Sequence, residues 1–170
     1  MKKTLSVLML SLLPGLALAA GEHGAQGGHD MANMHQGHDM ASMQQDMHGI
    51  GRPGSSAEVS RTIEVTMSDN MRFSPEQIEV NAGETVRFFI KNSGKLAHEL
   101  VIGNLQELQE HAEMMRQMPN MQHGEPNMIS LQPGQKGGLI WTFDQAGTVD
   151  FACLIPGHME AGMKGQVQVM

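Results

Sequence analysis

The carboxy-terminal part of the chain carries three side chains that bind soft metal ions. Cys153, His158 and Met163 follow one another with four residues between each pair. A second imidazole, His98, lies 55 positions before the cysteine. Two histidines, one cysteine and a weakly bound methionine form the ligand set of a mononuclear blue-copper site. Thiolate stabilises Cu(I) and imidazole accepts both Cu(I) and Cu(II), so these residue types predict one copper ion that exchanges single electrons.

Each of these residues also has an ordinary structural explanation. Taken singly, Cys153 is a typical small buried hydrophobe, His98 a typical structural histidine and Met163 a typical core residue. The chain contains no second cysteine, so an internal disulfide does not explain the thiol. The first 20 residues have the features of an export signal, described below, and an exported protein that keeps an unpaired thiol needs a use for it. Metal ligation is therefore favoured when the residues are taken together.

Short β-like runs separated by turn residues surround these ligands. The runs cover residues 62–67, 77–80, 85–90, 98–102, 138–143, 148–151 and 165–169. About seven short strands without an alternation of strands and helices predict an all-β, antiparallel sandwich.

One segment departs from the β pattern. Asn104 and Glu107 have the spacing of a capping box, and Pro119 disfavours helical geometry at the residue before it. The apolar residues on one helical face are Leu105, Leu108, Ala112 and Met115. We therefore expect one α-helix, at about residues 104–118, inserted between two strands.

The first 20 residues have the features of an export signal. Lys2 and Lys3 precede an apolar run over residues 5–18, and Ala17-Leu18-Ala19 is a cleavage signature. Cleavage after Ala19 or Ala20 predicts a periplasmic protein, and no stop-transfer segment follows, so we expect no membrane span after cleavage. Cleavage leaves 9 basic residues against 18 acidic ones, a balance that argues against nucleic acid as a partner.

Residues 21–57 form a predicted flexible tail, followed by a domain at residues 58–170. From residue 21 to 56 the chain has eight Gly, five His and five Met but only one branched aliphatic residue, which is too little apolar bulk to order itself. The sequence of residues 28–34 recurs at residues 37–43 with its His and Met preserved, whereas a simple linker needs neither. The accessory copper ligands predicted in the tail include His29, Met31, Met34, His35, His38, Met40 and Met43.

The inserted helix and the loop after it form a second group rich in methionine and histidine. The accessory copper ligands predicted there are His111, Met114, Met115, Met118, Met121 and His123. Thioethers and imidazoles favour Cu(I). The alternative is that these methionines fill gaps between the helix and the sandwich, and the sequence favours neither explanation.

The predicted domain resembles the cupredoxins. The matching stretches are Met71–Val80, Gly83–Phe88, Ala97–Glu99, Leu131–Gly134, Gly147–Cys153, Pro156–His158 and Gly162–Met163. The resemblance implies a Greek-key β-sandwich of about seven to eight strands, with His98, Cys153 and His158 as equatorial copper ligands and Met163 as the axial one. Many electron-carrying cupredoxins have Asn after the first ligand histidine, where it ties two ligand segments together. Here that residue is Glu99, which implies different control of the copper potential.

The combination of such a domain with a His/Met-rich extension is similar to exported copper-tolerance cupredoxins. That similarity implies a type 1 copper protein that cycles between Cu(I) and Cu(II) in copper tolerance, with copper ions and a redox partner, copper exporter or oxidase as partners. A dedicated electron shuttle between respiratory partners and a copper chaperone or store without redox cycling stay open as alternatives. One thiol and one domain argue against an enzyme of the multicopper oxidase or nitrite reductase type.

Overall fold

Ten strands of the described residues form two β-sheets that enclose the main core. The computed structural model describes residues 49–118 and 124–170. The strands are β1 (Arg52–Pro53), β2 (Arg61–Ser68), β3 (Arg72–Ser74), β4 (Gln77–Val80), β5 (Glu84–Asn92), β6 (His98–Gly103), β7 (Met128–Leu131), β8 (Lys136–Phe143), β9 (Gly147–Ala152) and β10 (Lys164–Val169). One sheet has the order β1-β8-β5-β2-β3 and the other the order β4-β10-β9-β6-β7.

The predicted all-β sandwich with one inserted helix is confirmed, with two differences in detail. All seven predicted strands are present, and β1, β3 and β7 are additional strands of two to four residues. The expectation of a fully antiparallel sandwich was wrong, because β2 pairs with β5 and β4 pairs with β10 in parallel. Between β2 and β5 the chain crosses to the other sheet at β4, and this crossing lets β5 return in the direction of β2, which a hairpin cannot do.

Aromatic side chains fill the space between the sheets. Phe73 and Phe151 meet edge to face at a centroid distance of 5.1 Å, and Phe88 and Phe143 do so at 6.2 Å. Trp141 is fully buried beside them. Because these side chains come from both sheets, they hold the two layers together.

Strand β6 is buried along its whole length because both of its faces are covered. Leu100 and Ile102 point into the main core, whereas Val101 packs in a second cluster with residues of the helix. The helix, α1 (Leu105–Gln117), begins with the predicted capping box: Glu107 N–H donates to Asn104 Oδ1 at 2.9 Å. The helix therefore covers the outer face of the strand that begins at His98.

The residues that pack on the sandwich include some before the predicted boundary at residue 58. Ile50 is buried, and its carbonyl accepts a 2.6 Å hydrogen bond from Nε1 of Trp141. Strand β1 pairs with β8, so residues 50–53 of the predicted tail lie on the sandwich. The export signal and the tail residues up to 48 lie outside the described residues. In the described part of the chain, no helix combines the length and apolarity that a membrane crossing requires.

Candidate metal centre

Pairing between β6 and β9 brings His98 and Cys153 together. His98 is the first residue of β6, and Cys153 directly follows β9. The two strands are antiparallel, with Val101 opposite Ala152, so the start of one lies beside the end of the other. The backbone N–H of Glu99 donates to Cys153 Sγ at 3.4 Å. The sheet thus places the thiol beside an imidazole that is distant in sequence.

Three of the predicted ligands converge. His98 Nδ1 lies 3.2 Å from His158 Nδ1, and Cys153 Sγ lies 3.3 Å from the same His158 nitrogen. The two nitrogens and the sulfur all lie within 4.8 Å of one another. His98 and Cys153 are fully buried, whereas His158 is half-buried. His158 is therefore the member of this trio that reaches solvent.

The loop between β9 and β10 closes on itself through backbone hydrogen bonds. The N–H of Cys153 donates to the carbonyl of Met163 at 3.0 Å, and the N–H of Met163 donates to the carbonyl of His158 at 3.0 Å. The Met163 side chain is fully buried in the cluster that also contains Cys153. The loop therefore fixes its three predicted ligands relative to one another.

Glu99 joins two segments that carry the trio. It is nearly buried, and its Oε1 accepts the backbone N–H of Leu154 at 3.0 Å, one residue after Cys153. Its Oε2 accepts the hydroxyl of Ser130, on β7, at 3.2 Å. The carboxylate thus makes the cross-connection expected of Asn at this position, and it brings a negative charge with it.

A second carboxylate, which the sequence did not predict, contacts His98 on the side of the ring opposite His158. Asp69 Oδ1 lies 3.1 Å from His98 Nε2. The backbone N–H groups of Lys95 and Leu96 donate to the Asp69 carboxylate at 2.8 and 3.2 Å. The Lys95 hydrogen bond is the main reason that the pKa of Asp69 is lowered, so this carboxyl is ionised at neutral pH. In the sequence, an Asp after a strand indicates a turn and gives no sign of a histidine partner.

Comparison with known proteins identifies the family. Residues 57–170 match the copper binding proteins of the plastocyanin/azurin family. The chain belongs to this copper-binding family.

Two relatives and one solved structure agree with this family. The chain is 45% identical to a copper-resistant cuproprotein, CopI, of Rubrivivax gelatinosus over 96% of this chain and 97% of the relative. It is 40% identical to the CopI protein of Pseudomonas aeruginosa over 72% and 84% of the two chains. The crystal structure of a reduced auracyanin from Roseiflexus castenholzii superposes with a TM-score of 0.57 at 25% identity, covering 66% of this chain and 98% of the auracyanin. The cupredoxin resemblance and the copper cofactor expected from the sequence are thereby confirmed.

The donor atoms suit a copper ion. Around a first-row metal ion, imidazole bonds of about 2.0–2.1 Å at near-tetrahedral angles place two such nitrogens roughly 3.3 Å apart. The observed separation of the two Nδ1 atoms is 3.2 Å. A cysteine sulfur and two imidazoles are also the donor types that copper proteins combine. The separation of the two nitrogens and the types of the three donors therefore both fit a copper ion.

The protonation of Cys153 and His158 in the metal-free chain also suits a cation. Burial raises the pKa of the Cys153 thiol from its ordinary 9.0 to about 12, so the sulfur is neutral until a cation displaces its proton. Burial, together with the proximity of His98, lowers the pKa of His158, so its ring is neutral at neutral pH and has a free lone pair. Cys153 and His158 are therefore both uncharged before a metal ion binds.

Only some of the accessory methionines and histidines lie within the described residues. The predicted tail ligands, and Met121 and His123, lie outside the described residues. Met115 is buried between the helix and the sandwich, as the packing explanation requires. Met114 and Met118 are each 42% exposed. Copper binding by the helix stays a prediction, and Met114 and Met118 are the described methionines that suit it.

Proposed function

We propose that the protein holds one copper ion through His98, Cys153 and His158, with Met163 as a weaker fourth ligand. The observation that carries this proposal is the convergence of two Nδ1 atoms and one thiol sulfur within 4.8 Å. Copper bound by this set supplies one-electron chemistry between Cu(I) and Cu(II). The same set of neutral imidazoles, one thiolate and one thioether serves both oxidation states.

The chain's own residues account for the remaining parts of this function. His98 and Cys153 are held by a β-ladder and buried, so they move little when the oxidation state changes. Cys153 would have to lose its thiol proton in order to hold the ion as a thiolate. His158 is the ligand that reaches the surface, so its ring would be the side of the site nearest to a partner protein that exchanges an electron with bound copper.

The physiological role that we propose is copper tolerance in the periplasm. The first 20 residues support export, and two relatives with high coverage are copper-resistant cuproproteins. The tail and the exposed helix methionines would capture Cu(I) and deliver it to the sandwich site. A single thiol supports a binding and electron-transfer protein rather than an enzyme with several copper centres.

Titration of the metal-free mature protein with Cu(II), followed by visible absorption and EPR, tests the ligand set. We expect one equivalent to produce an intense thiolate-to-copper band, and Cys153→Ser to lack that band. Met163→Leu should keep the band and raise the potential, because it removes only the weak ligand. No such band in the parent protein would contradict the proposal.

A dedicated electron shuttle is the second candidate, and the half-buried His158 favours it. Deletion of residues 21–48 separates the two roles and spares Ile50 and β1, which pack on the sandwich. If the protein serves copper tolerance, cells that carry the deletion should be more sensitive to copper. Normal growth under copper stress after this deletion, together with lost respiration after Cys153→Ser, would favour the shuttle.

A further inference from the structure

The two nitrogens of the His98 ring face two different partners. Nδ1 faces His158 Nδ1 at 3.2 Å, and Nε2 faces Asp69 Oδ1 at 3.1 Å. The ring is fully buried, so it has no contact with water that could replace either partner. Protein atoms therefore contact both nitrogens and fix the orientation of the ring.

The contact with Asp69 determines which nitrogen of His98 carries the proton. A carboxylate oxygen accepts hydrogen bonds, so the 3.1 Å contact makes Nε2 the donor. A neutral imidazole has one N–H, which leaves Nδ1 with a free lone pair. That lone pair faces His158 and Cys153, where a metal ion would bind.

The loop before β6 is arranged around the Asp69 carboxylate. Lys95 N–H donates to Oδ2, while Leu96 N–H donates to Oδ1, the oxygen that also faces His98. A Cβ on Gly94 would lie 1.9 Å from the same Oδ1, so only glycine allows this approach. Two backbone N–H groups thus hold the carboxylate beside His98, and Gly94 leaves the room for its approach.

We propose that Asp69 is a positioning residue for copper, which fixes the ring and the Nε2–H tautomer of His98 and favours Cu(II) over Cu(I) by its negative charge. The proposal builds on the ligand set proposed above. A negative charge one imidazole away from the ion stabilises the higher oxidation state more than the lower one. Together with the nearly buried Glu99, Asp69 places two carboxylates around the centre. The reduction potential is therefore held below the value that the four ligands alone would give.

Two substitutions separate positioning from charge. Asp69→Asn keeps an oxygen for His98 but removes the charge, so we expect a higher potential with a nearly unchanged thiolate band and EPR spectrum. Asp69→Ala removes both, so we expect a higher potential, altered EPR hyperfine splitting and a Cu(II) affinity lower by about tenfold or more. Asp144→Asn is the matched control: it removes an exposed carboxylate that pairs with Arg52 in the turn before β9, a strand about 20 Å long away from Cys153, and should leave the potential and the EPR spectrum unchanged.

A measurement without copper completes the test. Nitrogen NMR of the metal-free parent protein should show His98 protonated at Nε2, and Asp69→Ala should lose this single tautomer. The proposal is overturned if the parent shows the Nδ1–H tautomer, or if both Asp69 variants keep the parent's potential. Since the parent must show its thiolate band in the same experiments, failure of the ligand set is recognised separately. Asp69→Asn and the parent's NMR spectrum remain informative if Asp69→Ala does not fold.

Discussion

Gly162 lies directly against the guanidinium group of Arg72. A Cβ at position 162 would be 2.4 Å from Arg72 Nη1. The same Nη1 donates to the carbonyls of Ala161, at 3.0 Å, and of Met71, at 2.7 Å. Arg72 lies on β3, so this contact ties the end of the ligand loop, next to Met163, to the first sheet. The loop is thus held at both ends, by Glu99 near Cys153 and by Arg72 near Met163.

Replacing Gly162 should loosen the axial side of the copper site. Gly162 has a φ of 102°, so Gly162→Ala adds backbone strain of about 1–3 kcal/mol and also displaces Arg72 from Ala161. We expect lower stability in urea unfolding and a changed EPR spectrum, because Met163 follows directly. Gly157→Ala is the matched control, since Gly157 also has a positive φ, 90°, but nothing lies within 4 Å of its added Cβ. Equal EPR spectra for the two variants would show that Arg72 does not control the loop.

Removing the Glu99 side chain should destabilise the metal-free protein. Leu154 is buried, and Glu99→Ala leaves its N–H without an acceptor, at a cost of about 1–3 kcal/mol. Glu99→Gln keeps an acceptor oxygen, so it should cost less and should mainly raise the copper potential by removing charge. Urea unfolding and voltammetry measure the two effects. Ser130→Ala, which removes only the second donor, is the control, and a Glu99→Ala protein as stable as Ser130→Ala would contradict this role.

Copper binding should strengthen as the pH rises. The metal-free Cys153 thiol has a pKa of about 12 and must lose its proton, so Cu(II) affinity should rise about tenfold per pH unit around neutrality. Competition titrations at several pH values measure the slope. A slope near zero would show that the thiol is not a ligand.

The same thiol should affect stability without copper. The pKa of Cys153 is raised in the folded state, so the folded chain binds more protons than the unfolded chain between pH 9 and about 12. The stability that this neutral thiol contributes is complete below pH 9 and is lost as the pH rises toward 12. Cys153→Ala should lack this loss in alkaline urea unfolding. Parallel pH curves for the parent and Cys153→Ala would contradict the expectation.

Shortening the chain should have a sharp threshold near residue 50. Removal of residues 1–48 should leave stability unchanged, whereas removal of residues 1–53 takes away buried Ile50 and the acceptor of Trp141 Nε1. Burial of one Ile and an unsatisfied buried donor together amount to about 3 kcal/mol or more. Trp141 is the single tryptophan, so its fluorescence reports the change directly. Equal unfolding midpoints for the two shortened chains would contradict this role of Ile50.

The sequence predicted features that depend on local pattern and spacing. Short β-like runs between turn residues predicted seven of the ten described strands, and the capping box together with Pro119 located the helix to within one residue at each end. The four proposed ligands were found because their residue types and loop spacing are unusual. Strands such as β1 and β3 are too short to show alternation. Parallel pairing and the contact between Asp69 and His98 depend on how distant segments meet, which no local pattern records.

The backbone hydrogen bond between Cys153 and Met163 and the ladder that carries His98 are made by protein atoms alone. Small zinc domains, by contrast, need their metal ion in order to fold. We therefore expect the sandwich to keep the receptor assembled when copper passes to an acceptor, so that the same chain could be loaded again.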